Sequence, residues 1–158
     1  MKTLSQVQEF QQAFEIPMPK TPTMPARSSA ECQHLGAYAQ RLKTLSEELM
    51  RACSTQERSM PLLRLHLIVE ETSELAEALA RGDLVECLDA LTDLRYVCDG
   101  TTLCLGLENV FEVGFDEVHR SNMSKLVDGR PVKNEAGRVI KGEGYSPPDL
   151  QRVTTEAC

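Results

Sequence analysis

Apolar positions recur at helical spacing in five stretches of the chain. In residues 3–15, Leu4, Val7, Phe10 and Phe14 fall on one side and predict a short helix. Pro17, Pro19, Pro22 and Pro25 then predict an extended connector, because proline lacks the N–H a helix needs and clashes with the preceding turn. Residues 29–52 carry a stripe of Leu35, Leu42, Leu45 and Leu49, with Ser28 and Ser29 as candidate caps, and 53–60 read as a polar loop. The next 32 residues, Leu62 to Asp93, predict two helices joined at Arg81-Gly82-Asp83. Leu65, Ile68, Leu75 and Leu79 form the stripe before that turn; Leu84, Leu88, Leu91 and Cys98 form it afterwards. Gly82 suits a left-handed C-cap and Asp83 an N-cap. A fifth helix is expected from Leu107 to about Met123, with Val110, Phe111, Phe115 and Val118 inward and Gly114 either allowing close approach or simply tolerated. Beyond it the period shortens. Arg130–Lys133 and Arg138–Lys141 flank Asn134-Glu135-Ala136-Gly137 as a small β-hairpin, and Gln151–Cys158 read as a frayed tail. The expected fold is all-α, with a four-helix-bundle-type core and a small C-terminal β-hairpin and loop extension. It is read as a single domain over 1–158: an N-terminal helix and Pro-rich connector (1–28), a helical core (29–123), and a hairpin and tail (124–158).

The acids of the central pair of helices carry the candidate chemistry. Glu70 and Glu74 are four apart and Glu71 and Glu74 three apart, so each pair shares a helix face; Asp89 and Asp93 are again four apart. In an antiparallel hairpin centred on Gly82, Glu71 lies level with Asp93, and Glu74 lies beside Asp89. Four carboxylates then converge within about two turns of ~5.4 Å each. Acids held so close cannot all stay ionised without a counter-charge. A hard divalent cation with oxygen ligands, Mg²⁺ or Mn²⁺, resolves the conflict and bridges phosphates while doing so. The bland alternative is a solvated acidic face. It suits Glu77, and Glu86 fits a capping box begun by Asp83. It suits Asp89 and Asp93 less, since they sit deep among Leu88, Leu91, Leu94 and Val97, where short acids are poor helix formers.

The strings VEETSELAEAL and DALTDLRYV resemble the all-α nucleoside triphosphate pyrophosphohydrolases, the MazG-like superfamily that includes dimeric dUTPases, dCTP pyrophosphatases and phosphoribosyl-ATP pyrophosphohydrolase. The tail FDEVHRSNMSKLVDGRP and KGEGYSPPDL is most similar to the small phosphoribosyl-ATP-pyrophosphohydrolase-like proteins, so the likeness spans roughly 62–150. The family pattern is ExxE on one helix and ExxD on the next. Glu71 and Glu74 match the first half, with Glu70 as an extra preceding acid. The second half departs. Taking Asp93 as the family Asp leaves Ala90 at the Glu position with Asp89 as substitute; taking Glu86 and Asp89 gives a literal ExxD one turn nearer the loop. The level argument ranks Asp89 with Asp93 first, and both pairs stay open.

The resemblance implies metal-dependent hydrolysis of a nucleoside triphosphate to monophosphate and pyrophosphate, with two or three Mg²⁺ or Mn²⁺ ions on these acids. Glu70 is the candidate general base by adjacency. Asn122 and Lys125 are implied to contact phosphate or sugar, with Arg120, Lys141 and Tyr145 as helpers. The bland reading of these cations is that they complement a helix C-terminus. Family habit points to a deoxynucleotide such as dUTP or dCTP, or a non-standard nucleotide, to nucleotide-pool sanitation, and to a homodimer. Two competing readings are a non-catalytic helical dimerisation module with an acidic face, and a di-metal carboxylate oxidoreductase using Glu31/His34 and Asp116/His119. His66, between two leucines, reads as a core-edge residue rather than a ligand.

Composition narrows the classes further. A net charge of −7 over 158 residues argues against a nucleic-acid partner. No stretch is apolar enough to span a membrane, and Met1–Gln11 lacks the core of a secretion signal. The six cysteines form no CxxC pair; Cys87, Cys98 and Cys104 are expected to be reduced core thiols of a cytoplasmic protein.

Overall fold

The computed structural model describes residues 2–55, 59–135 and 138–156. Its elements, in order, are α1 (Lys2–Ala13), α2 (Ser29–Thr55), α3 (Met60–Arg81), α4 (Leu84–Cys104), α5 (Phe111–Met123), β1 (Leu126–Val127), β2 (Arg130–Pro131) and α6 (Leu150–Glu156). The all-α fold with a small C-terminal hairpin is therefore observed. The chain forms two compact units, one of Thr21–Leu105 and one of Met1–Lys20 with Gly106–Cys158.

In the unit of residues 21–105, α3 lies between α2 and α4 and packs on both. Helix α2 begins in a reciprocal capping box: the Ser28 backbone N–H donates to Glu31 Oε2 (2.8 Å), and the Glu31 N–H donates to Ser28 Oγ (3.2 Å). The α2–α3 seam is small and polar. Ser73 Oγ donates to the Ala39 carbonyl, Ser46 meets His66, and Cys53 Sγ donates to the Ser59 carbonyl. In each pair the residue numbers sum to the same value, so one antiparallel register runs the length of the seam. Ala39, Ser46 and Cys53 are the buried positions of α2, seven apart, as expected where one stripe meets a single partner. The anticipated stripe is partly right: Leu35, Leu42 and Leu49 flank this seam, whereas Leu45 is exposed.

Helix α3 ends as its sequence predicts. Gly82 is left-handed (φ 77°) and its N–H donates to the Ala78 carbonyl, while the Asp83 carboxylate accepts from the N–H groups of Val85 and Glu86. The Arg27 guanidinium donates to the Leu79 carbonyl and lies against Gly82, so a side chain there would meet it. Farther along the α3–α4 seam, Arg64 donates to the Val97 carbonyl (2.6 Å) and to Thr101 Oγ1 (3.1 Å). Helix α4 departs from expectation. Its buried positions are Cys87 and Ala90, whereas Leu84, Leu88, Leu91 and Cys98 are exposed. The helix is apolar on nearly every side, so its leucines give no phase, and the smallest residues take the close seam. Cys98 and Cys104 are likewise exposed rather than core thiols; Cys53 and Cys87 are buried.

In the other unit, α1 packs on α5, and α5 on α6. Phe14 is fully buried and stacks on Phe10 with ring centroids 4.2 Å apart, while Leu4 and Val7, expected inward, are exposed. Lys2 and Gln6 both donate to the Asp116 carboxylate. Two corrections concern the C-terminal region. Residues 150–156 form a helix instead of fraying, since Asp149 accepts from the Arg152 N–H and Val153 is buried. A tight ribbon precedes the expected hairpin: Val127 pairs with Arg130 across Asp128-Gly129, both at positive φ. The expected arms pair through Lys133 and Val139, with Ala136 and Gly137 of the tip outside the described residues. A Cβ on Gly114 would meet only Leu150, in ordinary contact, so that glycine is tolerated rather than required.

Gly82 sets the α3–α4 register, and L-residues in its conformation cost about 1–2 kcal/mol. Gly82→Ala is expected to lower unfolding free energy by at least about that much, measured by denaturant titration, because Arg27 must also move.

Candidate active site

The acid cluster forms on the facing edges of α3 and α4. Burial pushes the Glu71 carboxyl above the ordinary carboxylate range, and the charges of Glu74, Asp93, Glu70 and Asp89 push it further. Burial likewise raises Glu74, followed by Glu70, Asp93, Asp89 and Glu77. Glu71 and Glu74 thus each lie in the field of both Asp89 and Asp93, the arrangement expected from a turn centred on Gly82. One Glu71 oxygen, Oε2, is buried with no hydrogen-bond partner. Glu86 sits toward the loop, where Glu74, Glu77, Arg81, Glu86 and Asp89 line a recess of about 220 Å³. It does not complete a capping box, since the Asp83 N–H donates to the Ala78 carbonyl. Glu77 is salt-bridged to Arg81 at 3.0 Å.

A larger groove of about 510 Å³ opens on the other side of the α3 acids. Glu70, Glu74 and Glu77 of α3 form one wall with His66 and Ser73; Lys43, Ser46, Glu47, Met50 and Arg51 of α2 form the other. Glu74 and Glu77 border both spaces. Sequence reasoning missed the α2 wall, which shows only as residues 43, 47 and 51 at four-residue spacing. It also placed His66 at the core edge, whereas His66 is buried, with its ring against Ser46.

The second constellation lies in the unit containing α5 and α6, at the C-terminal end of α5. Lys125 donates to Asn122 Oδ1 (2.7 Å), and the Lys141 ammonium sits 4.3 Å from the Tyr145 ring centroid. A hydrogen bond with Ser121 holds the Tyr145 phenol below its usual pKa, helped by the charges of Lys141 and Lys125. Asn122, Lys125, Lys141 and Tyr145 are therefore brought together. Arg120 is turned elsewhere. It donates to both oxygens of Glu117 (2.8 and 2.7 Å) and to the Pro147 carbonyl, and Glu117 also accepts from the Asp149 N–H. These bonds hold the buried Glu117 carboxyl down at about 2. Their i,i+3 spacing was the available signal for this brace.

The site chemistry suits a hard cation in its donors. All are carboxylate oxygens, two of the acids are held against burial and repulsion, and one buried oxygen lacks a partner. As they stand, no three His, Cys, Asp or Glu side chains among the described residues are gathered closely enough to grip an ion. Three of the oxidoreductase candidates have other partners. Glu31 is committed to its capping box, Asp116 to Lys2 and Gln6, and His119 to Glu9 at 3.2 Å. Among the described residues no helix is long and apolar enough to cross a membrane.

A family model of phosphoribosyl-ATP pyrophosphohydrolase matches residues 54–122, which contain the α3–α4 acid pair and most of α5. That likeness takes in α3, α4 and most of α5 and spans less than half of the chain. The fold is shared with a crystal structure from Exiguobacterium sp. 255-15, named a "putative NTP pyrophosphohydrolase", at TM-score 0.59 and 24% identity, covering 99% of this chain and 94% of that one. No curated protein matches the chain.

Both Glu71 and Glu74 are acids whose folded pKa is raised, so their ionisation opposes folding. The penalty is absent below about pH 4.5, grows as pH rises through the raised folded values, and is complete above them. Glu71→Gln is therefore expected to raise the thermal midpoint at neutral pH in chelator by a few degrees, with the gain vanishing below about pH 4.5; differential scanning calorimetry across that range checks it.

Proposed function

We propose that this enzyme hydrolyses a nucleoside triphosphate to the monophosphate and pyrophosphate, with Mg²⁺ or Mn²⁺, in nucleotide-pool sanitation. The observation that carries the reading is the convergence of Glu71, Glu74, Asp89 and Asp93, maintained against burial and mutual repulsion. Such an arrangement costs stability in an apo protein and is repaid when a cation binds. Glu71, Glu74, Asp89 and Asp93 would hold the metal, with Glu86 and Asp89 as the alternative second pair. A divalent cation bound there supplies charge neutralisation on phosphate oxygens and a more acidic water. Glu70, beside the cluster and open to the α2–α3 groove, takes the role of orienting or deprotonating that water. The groove lies within the roughly 300–1,000 Å³ range of small-ligand sites, and Lys43 and Arg51 give its α2 wall positive charge. Asn122, Lys125, Lys141 and Tyr145 serve as phosphate or sugar contacts, and Arg120 acts chiefly through its brace to Glu117. The whole chain, 1–158, works as one domain, and its free cysteines fit the cytoplasm.

The substrate is a deoxynucleotide such as dUTP or dCTP, or a non-standard nucleotide, a choice supported by family resemblance alone. The homodimer is supported by α4, which exposes Leu84, Val85, Leu88, Leu91 and Tyr96 in a single copy. The same face suits a non-catalytic dimerisation module, and the acid cluster separates the two readings.

A panel of ribo- and deoxynucleoside triphosphates, assayed for monophosphate and pyrophosphate with Mg²⁺, Mn²⁺ or chelator, tests the reaction. The expected outcome is metal-dependent pyrophosphate release that drops at least about a hundredfold in Glu74→Ala. Asp93→Asn should also abolish the rise in thermal midpoint that Mg²⁺ gives the wild type. Orthophosphate as the product, or silence with no metal-induced stabilisation, would sink the reading. Separately, Leu88→Lys should shift the sedimenting species from dimer to monomer; a wild-type monomer would refute the assembly.

A further inference from the structure

His66 is the buried polar group of the α2–α3 seam for which packing gives no reason. It is only 4% exposed, and a leucine or methionine would fill the same space without the cost of burying an imidazole. Its ring is held from one side. Nδ1 lies 3.1 Å from the Ser46 carbonyl oxygen and 2.9 Å from Ser46 Oγ. A carbonyl oxygen can only accept, so Nδ1 donates to Ser46, and Nε2 attracts a carboxylate as the second N–H of the imidazolium. The other nitrogen, Nε2, is thereby fixed in direction, and it faces Glu70 Oε2 at 3.6 Å, one helical turn along α3. All three residues line the 510 Å³ groove, and the Glu70 side chain is 43% exposed.

We propose that His66, anchored by Ser46, is a positioning residue that aims the Glu70 carboxylate at the attacking water in the α2–α3 groove. The inference rests on the proposed hydrolysis and on Glu70 as its water-orienting acid. Glu70 stands beside Glu71 and Glu74, whose charges repel it. His66 supplies a fixed contact on the groove side. At 3.6 Å the contact is longer than a hydrogen bond, and such contacts commonly tighten when substrate closes the site.

Two amide substitutions divide the role of the ring. In His66→Asn the amide replaces Nδ1, keeping Ser46 and losing Glu70; in His66→Gln it reaches the place of Nε2, keeping Glu70 and losing Ser46. On the full-length protein with Mg²⁺ and the preferred triphosphate, His66→Asn is expected to lower kcat about ten- to a hundredfold with KM within about twofold, since misplacing a reacting group costs rate rather than binding. His66→Gln should recover most of that loss. Equal kcat in the two variants, or changes confined to the melting temperature, would overturn the proposal while leaving the hydrolase reading intact. A wild type inactive on every triphosphate overturns both. Should His66→Asn fail to fold, His66→Leu fills the space of the ring and loses both of its polar contacts. A fall in kcat at constant KM supports the positioning role, and an unchanged kcat removes it.

Discussion

Helix α3 must serve two neighbours at once, and the unit of residues 21–105 follows from that constraint. Its α2-facing side presents His66 and Ser73, and its α4-facing side presents Arg64, Glu71 and Ala78. The acids stand along the edges of these two seams. Glu71 is half-buried there, with one oxygen cut off from water and without a partner, while Glu74, Asp89 and Asp93 stand exposed at the edge. The acid cluster is therefore a consequence of helix packing.

The α3–α4 register was legible in advance because its cause is local. Glycine at a left-handed cap and aspartate at the next N-cap leave little freedom, and counting outward from Gly82 levels Glu71 with Asp93. The α2–α3 register was not legible, since residues 53–60 hold no comparable turn chemistry. His66 and the α2 wall were missed for that reason. Leucine stripes misled on α4, where apolar residues on almost every side leave the inward face to Cys87 and Ala90. The Asp128-Gly129 pair is a strong two-residue hairpin signal, and it forms the tight ribbon ahead of the longer hairpin. Arg120 was read as free to grip a phosphate, yet Glu117 three residues earlier had the better claim.

The two groups of site residues differ in electrostatic character. Glu71 and Glu74 of α3 are frustrated, with raised carboxyl groups and, on Glu71, an unpartnered oxygen. The α5 constellation is satisfied: Glu117 is held at about 2 by arginine and a backbone N–H, and Lys125 rests on Asn122. Frustration is expected where a ligand is to be completed, and satisfaction where a scaffold must hold still.

The interior of the 21–105 unit is built from small side chains. Ala39, Ser46, Ser73, Ala78, Cys87 and Ala90 are its buried contacts, alongside His66 and Cys53. Most of its leucines are half-buried or exposed, so trimming one removes little packed volume. Adding a methyl or more at Ala78 or Ala90 must instead push helices apart, and with them the spacing of every carboxylate between α3 and α4. Evolutionary drift in this chain is thus free to shrink its surface leucines, while the alanines of its seams are closed to enlargement.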